Sequence, residues 1–329
     1  MAKRHPLASR RPRAVRNVKC RVPNWHRYEK ALCQRGALTL WVDRRWLERW
    51  YRRERSGKRG APFIDSAGLI LCMLTLKAVY HLSNRETQGL MQSLLWLLRA
   101  RYPVPDHTTL SRRGRQLAVP LRAQSQHQPL HLLLDSTGLQ LVDVSPWRAW
   151  QGARWRQAQT GKQDFRKIHV ALNTDTQTIE AVEVTDKHVH DNRLVEPLLA
   201  QVSGKVRQVT ADGNYDFQAA RLPIRARGAM DLIPPRADAV IVPDWPRPGR
   251  DQALKLIARW GGRAAWKRHI GYHQRSLIET AFSPMKGRLG QRPGSREKSR
   301  QITEVRVWCQ VLNRMAQLGL PHSQPVLVT

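Results

Sequence analysis

Residues 130–137 read Leu-His-Leu-Leu-Leu-Asp-Ser-Thr, a short apolar run that stops at a carboxylate. Such a run predicts a buried strand over Leu130–Leu134 that ends at Asp135. Another strand is predicted over Val206–Ala211, directly before Asp212. A carboxylate that leaves the end of a rigid strand is well placed to hold a divalent ion at the rim of a sheet. Each aspartate taken alone fits a turn or an N-cap equally well, so that interpretation stays open.

The segments around these runs also have strand-like and helical periods. Lys167–Asn173 and Ile179–Thr185 alternate around a hairpin-like turn, and a further strand is predicted near Asp231–Pro234. Helices are predicted over residues 192–202, 216–226, 251–260 and 273–289. Three strands, a helix, a strand and then helices predict an α/β fold, a ribonuclease-H-like mixed-sheet catalytic domain over residues 126–290.

The first third of the chain has helical signals instead. The predicted N-caps are Asp43, Asp65 or Ser66, Ser83 and Asp106. Ser83 and Glu86 have the spacing of a capping box. The helix after Asp106 has polar and basic residues on its outer side, and a Pro-containing turn precedes it. These features favour helix-turn-helix DNA binding within residues 61–125, although a solvated surface helix has the same composition.

The charge of the chain points to a polyanionic partner. It has 57 Lys and Arg against 25 Asp and Glu, a net charge of +32. Residues 1–60 hold 19 of these cations and 4 of the acids, and no acidic residue precedes Glu29. A basic N-terminal arm that follows DNA phosphates is therefore predicted, with a solvated tail as the alternative.

Several other classes of protein are disfavoured by the sequence. The four cysteines are isolated and lack zinc-site spacing, which is typical of reduced thiols in the cytosol. The longest apolar run, Ala67–Val79, contains Lys77 and is too short to span a bilayer. The basic N-terminus has no apolar segment after it, so a signal peptide is not expected.

One stretch near the C-terminus places four functional groups together. Tyr272, Arg275, Glu279 and Lys286 fall within about 60° of one another on an ideal helix of about 100° per residue. Apolar residues occupy the opposite side, so an amphipathic helix is predicted whose polar face presents one carboxylate, two cations and a phenol. A merely solvated face remains the alternative. Pro284 lies before Lys286 and predicts a kink there.

The spacing Tyr-x2-Arg-x3-Glu-x6-Lys resembles the signature of DDE-type insertion-sequence transposases. The segments Asp-Ser-Thr-Gly-Leu at 135–139 and Asp-Gly-Asn-Tyr-Asp at 212–216 resemble the first and second aspartate regions of that family. Longer stretches, in the expected order, are similar to its insertion-sequence-five group: YEKALCQRGALTLWVD at 28–43, KAVYHLSNRE at 77–86, PVPDHTTLSRR at 103–113, GYHQRSLIETAFSPMK at 271–286 and VLNRMAQLGLP at 311–321.

This resemblance implies a site and a reaction. Asp135, Asp212 and Glu279 would bind two Mg²⁺ ions, with Mn²⁺ as a substitute, and would cut DNA at the element's ends and join the freed 3′-OH to target DNA. Arg275 and Lys286 would contact phosphates near the scissile bond.

The resemblance also implies roles outside the metal ligands. Tyr272 would stack on or hydrogen-bond the same DNA end. The helical region would bind the terminal inverted repeats, with candidate contacts at Thr108, Thr109, Ser111, Arg112 and Arg113. A homo-oligomer on DNA, in the cytoplasm and associated with the nucleoid, is expected.

The predicted organisation has four parts. They are a basic arm and first helix at 1–60, the helical DNA-binding region at 61–125, the catalytic domain at 126–290, and a C-terminal helix and tail at 291–329. Two other functions remain open. One is a ribonuclease-H-like nuclease that cuts DNA without joining it, and the other is an inactive transposase copy that only binds DNA.

Overall fold

A computed structural model of the chain describes residues 20–42, 65–121, 128–141 and 165–326. The arm before Cys20, the helix predicted after Asp43 and most of the loop at 139–163 lie outside these ranges. The α-helices within them are α1 (Trp25–Arg35), α2 (Leu38–Trp41), α3 (Ala67–Tyr80), α4 (Asn84–Leu97), α5 (His107–Gly114), α6 (Val195–Gln201), α7 (Gln218–Ala226), α8 (Pro248–Arg259), α9 (Arg263–His269), α10 (Leu277–Pro284) and α11 (Lys298–Leu318). The strands are β1 (Cys20–Arg21), β2 (Leu130–Gln140), β3 (Phe165–Asn173), β4 (Ile179–Asp186), β5 (Val206–Thr210), β6 (Met230–Leu232) and β7 (Gln324–Pro325).

Five of these strands form one mixed sheet with the order β4-β3-β2-β5-β6. The strands β2, β3 and β4 run antiparallel, whereas β5 pairs parallel with β2 and β6 pairs parallel with β5. The chain crosses from β4 to β5 through α6, as a parallel pairing requires a crossover. An antiparallel meander extended by two parallel strands is the ribonuclease-H-like layout, and the predicted α/β fold is confirmed.

The two faces of this sheet pack against different helices. Side chains alternate along β2, so that Leu132 and Leu134 lie in one core, with residues of α6 and α7. Leu133 and Leu139 lie in the other core, which also contains residues of α3 and α11. The N-terminal helices therefore share a hydrophobic core with the sheet. The predicted division into four parts stays a prediction.

The caps of the N-terminal helices follow the sequence signals. The Ser66 side chain accepts a hydrogen bond from the amide of Leu69 at 3.1 Å and begins α3. Ser83 and Glu86 form the predicted capping box at the start of α4. The Asp106 carboxylate accepts hydrogen bonds from the amides of Thr108 and Thr109 at the start of α5. Local hydrogen bonding is enough to begin these helices, so their starts were readable from the sequence.

The turn between α3 and α4 has helix-turn-helix geometry, whereas a DNA-binding role for residues 61–125 stays a prediction. The axes of α3 and α4 bend by 109° at a break that spans only residues 81–83. Helices at such an angle with a three-residue turn match the helix-turn-helix arrangement. His81 makes the turn in the left-handed region, with φ 56°. The connection from α4 to α5 instead takes residues 98–106, too long for the tight turn expected there.

Hydropathy sets one further limit on the described helices. No single one of them is long and apolar enough to cross a membrane. The pair α3 and α4 reaches the necessary length and composition only when the two are taken together across their bend.

Candidate active site

The register of the sheet brings the two predicted aspartates side by side. The parallel pairing of β2 with β5 ends at Leu133 opposite Thr210. Asp135 lies two residues beyond this pair within β2, and Asp212 lies two residues beyond it in the segment that follows β5. The two aspartates are therefore close together, which agrees with the electrostatic effect of Asp212 on Asp135. Side chains two residues apart along an extended chain point to the same face of a sheet. Asp135 is therefore expected on the face of Leu133, and Asp212 on the face of its partner Thr210. Their side chains therefore project towards the face on which α10 packs.

One detail of the prediction is wrong, because β2 does not end at Asp135. Its antiparallel pairing with β3 continues from Asp135 opposite Val170 to Gln140 opposite Phe165. What ends near Asp135 is the pairing on the other edge, where β5 stops at Thr210. An apolar run in the sequence indicates where a strand is buried on both faces. It does not indicate how far the strand stays hydrogen-bonded to its neighbour along one edge.

The surroundings of Asp135 disfavour its charge. Burial, together with the negative charges of Asp212 and Asp191, raises the pKa of Asp135 above its ordinary value of 3.8. Two contacts oppose that shift. The amide of Ser136 donates to Oδ1 at 2.8 Å, and Nη1 of Arg275 donates to Oδ2 at 3.0 Å. Burial thus outweighs the two contacts that stabilise the charged form of Asp135.

The signature segment that carries Arg275 is not one continuous α-helix. It begins as a 3-10 helix at Tyr272–Ser276, continues as α10 and ends as a π-helical turn at Met285–Leu289. The period changes after Ser276 and again at Pro284, where a kink was predicted. Side chains three residues apart eclipse in a 3-10 helix, so Tyr272 and Arg275 lie on the same side.

Both of these residues lie beside the aspartates. The Tyr272 hydroxyl donates to the carbonyl of Ala211, the residue before Asp212, at 3.4 Å. Burial raises the pKa of Tyr272, as do the charges of Asp212 and Asp135. Arg275 pairs directly with Asp135. Tyr272 thus supports the end of β5 and Arg275 supports the carboxylate, whereas contacts of either with DNA stay a prediction.

The other half of the predicted stripe is not gathered at the aspartates. Glu279 is exposed, and Lys286 lies in the π-helical turn. Across the described ranges no three His, Cys, Asp or Glu side chains are spaced to hold a metal ion. The change of helical period rotates residues beyond 276 away from the line expected on an ideal helix. The assignments of Glu279 as third ligand and of Lys286 as a phosphate contact stay predictions.

A divalent ion fits the pair of aspartates chemically. Hard cations prefer carboxylate oxygens, and Asp135 with Asp212 supply four of them from two adjacent backbones. The Asp212 oxygens accept from the backbone amide and the side-chain amide of Asn214, at 2.9 and 3.0 Å, which orients that carboxylate.

A third carboxylate, that of Asp191, lies near enough to the pair to act on the charge of Asp135. Asp191 forms a salt bridge with Lys167, and its Oδ1 lies 3.5 Å from Nδ1 of the buried His169. Burial lowers the pKa of His169, which leaves Lys167 as the cation that pairs with Asp191. The nearness of Asp191 depends on the β3–β4 hairpin folding back, and no local sequence pattern signals it.

A buried ionic network anchors the chain beyond Asp212. Asp216 is fully buried and accepts hydrogen bonds from Arg221 and Arg250, and Arg221 also reaches Asp231. Although burial alone would raise it, hydrogen bonds from the Arg236 amide and the two arginines lower the pKa of Asp216. Because Asp216 is only four residues from Asp212, this network fixes the loop that presents the second aspartate.

The DNA-contact candidates on α5 are partly engaged within the helix. The hydroxyls of Thr108 and Thr109 donate to the Asp106 carboxylate. Nη2 of Arg112 donates to the Thr109 hydroxyl at 3.2 Å. Nη1 of Arg113 donates to the carbonyl of Asp65 at 3.0 Å. Ser111 lines a neighbouring cleft. Their role in DNA binding stays a prediction.

The sheet is ribonuclease-H-like, and it carries a pair of aspartates at the point where β2 and β5 separate. These two features together define the class as ribonuclease-H-like enzymes. Two family models, both described as Transposase DDE domain, match residues 33–144 and residues 126–312. The second match spans more than half of the chain, which therefore belongs to the transposase DDE domain family. The protein is a DDE-type insertion-sequence transposase, and its placement in the insertion-sequence-five group stays a prediction.

One solved structure shows similarity across much of the chain. It is the cryo-EM structure of a piggyBac transposase synaptic complex with hairpin DNA, at 12% identity and a TM-score of 0.40. The similarity covers 86% of this chain and 73% of the piggyBac chain. The assignments at the site rest on the geometry of this chain.

Proposed function

We propose that this transposase binds the terminal inverted repeats of an insertion sequence and catalyses Mg²⁺-dependent cleavage and strand transfer into target DNA. The observation that supports this most is the register of β2 against β5, since Asp135 and Asp212 each follow its last pair by two residues. Two carboxylates in this position fit a divalent ion, and the charge of the chain fits a nucleic acid as its substrate.

The metal would supply a water of lowered pKa and stabilise the charge that develops on the leaving 3′-oxygen. Asp135 and Asp212 would hold it. Tyr272 keeps the end of β5, and so Asp212, in place. Arg275 balances the charge of Asp135, and a phosphate bound beside that carboxylate would be within reach of its guanidinium.

Glu279 is proposed as the third ligand. It is exposed and forms no salt bridge with any residue in the described ranges, so its carboxylate is available. It lies one helical turn beyond Arg275, which already touches Asp135. Mn²⁺ is proposed as a substitute metal, since it shares the preference for oxygen ligands.

Three single variants test the assignment. Asp135→Asn, Asp212→Asn and Glu279→Gln should each abolish Mg²⁺-dependent cleavage of a supercoiled plasmid that carries the two element ends. They should retain binding to a duplex of one end in EDTA. Asp238→Asn, at an exposed loop acid, is the matched control and should keep full activity. Joining of donor ends by the Glu279→Gln variant at the wild-type rate would refute its role as a ligand.

The same plasmid distinguishes the other two functions. Cleaved ends without any joined product would favour a nuclease, and end binding without cleavage by the wild-type chain would favour an inactive copy. Short inverted repeats that bracket the coding region, with a duplicated target outside them, would support strand transfer directly.

The proposal extends to assembly and location. Two ends cut in concert require two sites, so a homo-oligomer should form on DNA, which light scattering of the protein with an end duplex would measure. We also place the protein in the cytoplasm, associated with the nucleoid. A fluorescent fusion that does not overlap the DNA stain would contradict this location.

A further inference from the structure

A cleft of about 770 Å³ lies outside the aspartate site. One wall is the turn between α3 and α4 together with α5. The other wall is the segment 292–300, which follows the π-helical turn and leads into α11. The cleft therefore joins the helix-turn-helix part of the fold to a segment that lies beyond the predicted catalytic domain.

The lining of this cleft is strongly cationic. Five Lys and Arg side chains line it, namely Lys77, Arg85, Arg292, Arg296 and Arg300. Glu304 is the only carboxylate among the described residues of the lining. The two Glu304 oxygens accept hydrogen bonds from the backbone amides of Gly294 and Ser295, at 2.8 and 3.0 Å. The Glu304 carboxylate therefore stabilises the backbone conformation of this wall.

Most of these cations have no anionic partner within the described chain. Lys77, Arg85 and Arg296 form no salt bridge there, and Nε of Arg292 bonds to the neutral side chain of Gln140 at 2.8 Å. Only Arg300 has a carboxylate nearby, with Glu297 at 3.5 Å. Gathering several like charges in one cleft is unfavourable unless an anion neutralises them, and a polyanion does so most completely.

The position of the cleft favours a DNA duplex as that polyanion. The Glu86 carboxylate already accepts a hydrogen bond from the Ser83 amide at the N-terminus of α4. The attraction for a polyanion therefore comes from the side chains of the two walls. The contact of Arg292 with Gln140 ties the cleft to the far end of β2. Gln140 is five residues from Asp135, which corresponds to about 17 Å along a strand. A backbone in the cleft would therefore lie a few base pairs from the aspartates.

We propose that the sugar–phosphate backbone of the DNA duplex runs through this cleft, with Arg85, Arg292 and Arg296 as phosphate contacts. The inference rests on the proposed function, and it adds to it a DNA-binding wall contributed by the C-terminal segment 292–300. Guanidinium groups suit this role because they bind phosphate oxygens through two parallel hydrogen bonds.

The test is the salt dependence of binding to a fluorescein-labelled 30-base-pair duplex of random sequence, measured by anisotropy in EDTA. Each phosphate contact contributes about 0.9 to the slope of log affinity against log salt concentration. The R85Q/R292Q/R296Q variant should therefore lower the slope by about 2.7. The matched control is R193Q/R259Q/R268Q, which removes the same charge from exposed arginines outside the cleft. Its slope should fall by clearly less.

A second variant guards against a folding defect. R85Q/R296Q leaves the contact of Arg292 with Gln140 intact and should lower the slope by about 1.8 with an unchanged melting temperature. Equal slopes for wild type and both cleft variants would overturn the proposal, and so would an equal loss in the control triple. Because binding is read in EDTA, a wild-type chain that cleaves no DNA would refute the proposed function and leave the cleft result standing.

Discussion

Nη1 of Arg275 lies 3.0 Å from Oδ2 of Asp135, across 140 residues of sequence. The ion pair connects the signature segment to the central strand of the sheet. The Arg275 guanidinium occupies one oxygen of the Asp135 carboxylate. The charged form of this carboxylate is already destabilised by burial and by Asp212 and Asp191. The guanidinium therefore protects the charge of Asp135 and competes with any dication that binds there.

Removing that guanidinium should change metal binding in two ways. In Arg275→Gln the pKa of Asp135 should rise further, so a higher pH is needed before Mn²⁺ binds, because protons compete for the carboxylate. Above that pH the variant should bind Mn²⁺ more tightly than wild type, since a cation has left the site. Water proton relaxation measures both effects. Arg275→Lys is the control and should keep the wild-type pH midpoint. A midpoint in Arg275→Gln that does not move would show that the ion pair is not formed in solution.

Asp135 should also limit the stability of the fold. Its raised pKa means that the folded state binds a proton more tightly than the unfolded state, so stability is present at low pH and is lost as pH rises through the folded pKa. Asp135→Asn should therefore raise the melting temperature at pH 7, and the gain should shrink as pH falls towards the ordinary value of 3.8. Differential scanning calorimetry against Asp238→Asn, where no gain is expected, checks this. A lower melting temperature for Asp135→Asn at pH 7 would mean that the pair with Arg275 outweighs the burial.

The buried network behind Asp212 should be costly to break. Arg221 is 2% exposed and pairs with Asp216 and Asp231, both of them buried. Arg221→Met leaves these charges without their shared partner and should cost about 3–5 kcal/mol in urea unfolding. The matched control is Arg225→Gln, at the half-exposed partner of Asp231, which should cost less than about 1 kcal/mol. Similar losses in the two variants would show that the network carries no special stability.

Two glycines should respond to alanine in opposite directions. A Cβ at Gly249 would overlap the Asp231 carboxylate, with Cγ only 2.8 Å away, so Gly249→Ala should displace α8 and destabilise the fold. A Cβ at Gly89 in α4 would meet no atom within 4 Å. Gly89→Ala should therefore raise stability by about 0.5–1 kcal/mol. Urea denaturation of both variants tests the pair, and a neutral Gly249→Ala would contradict the close approach of α8 to β6.

Parts of the candidate site were readable from sequence because their signals are local. The apolar runs before Asp135 and Asp212 marked two strands, and Pro284 marked a change in the signature helix. Contacts that span the chain had no such local signal. The sequence alone did not indicate that Arg275 pairs with Asp135, or that Asp191 lies near the same carboxylate.

Helix caps, strand periods and the excess of cations were decided by residues within a few positions of one another, and so they follow from the sequence of this transposase. The register of β2 against β5 has a different origin. It is set by which side chains of β2 pack into each of two cores, and that choice depends on α3, α6 and α11, which lie far away along the chain. Only the folded sheet therefore decided that Asp135 and Asp212 lie close together, that Arg275 pairs with Asp135, and that Glu279 remains at the surface.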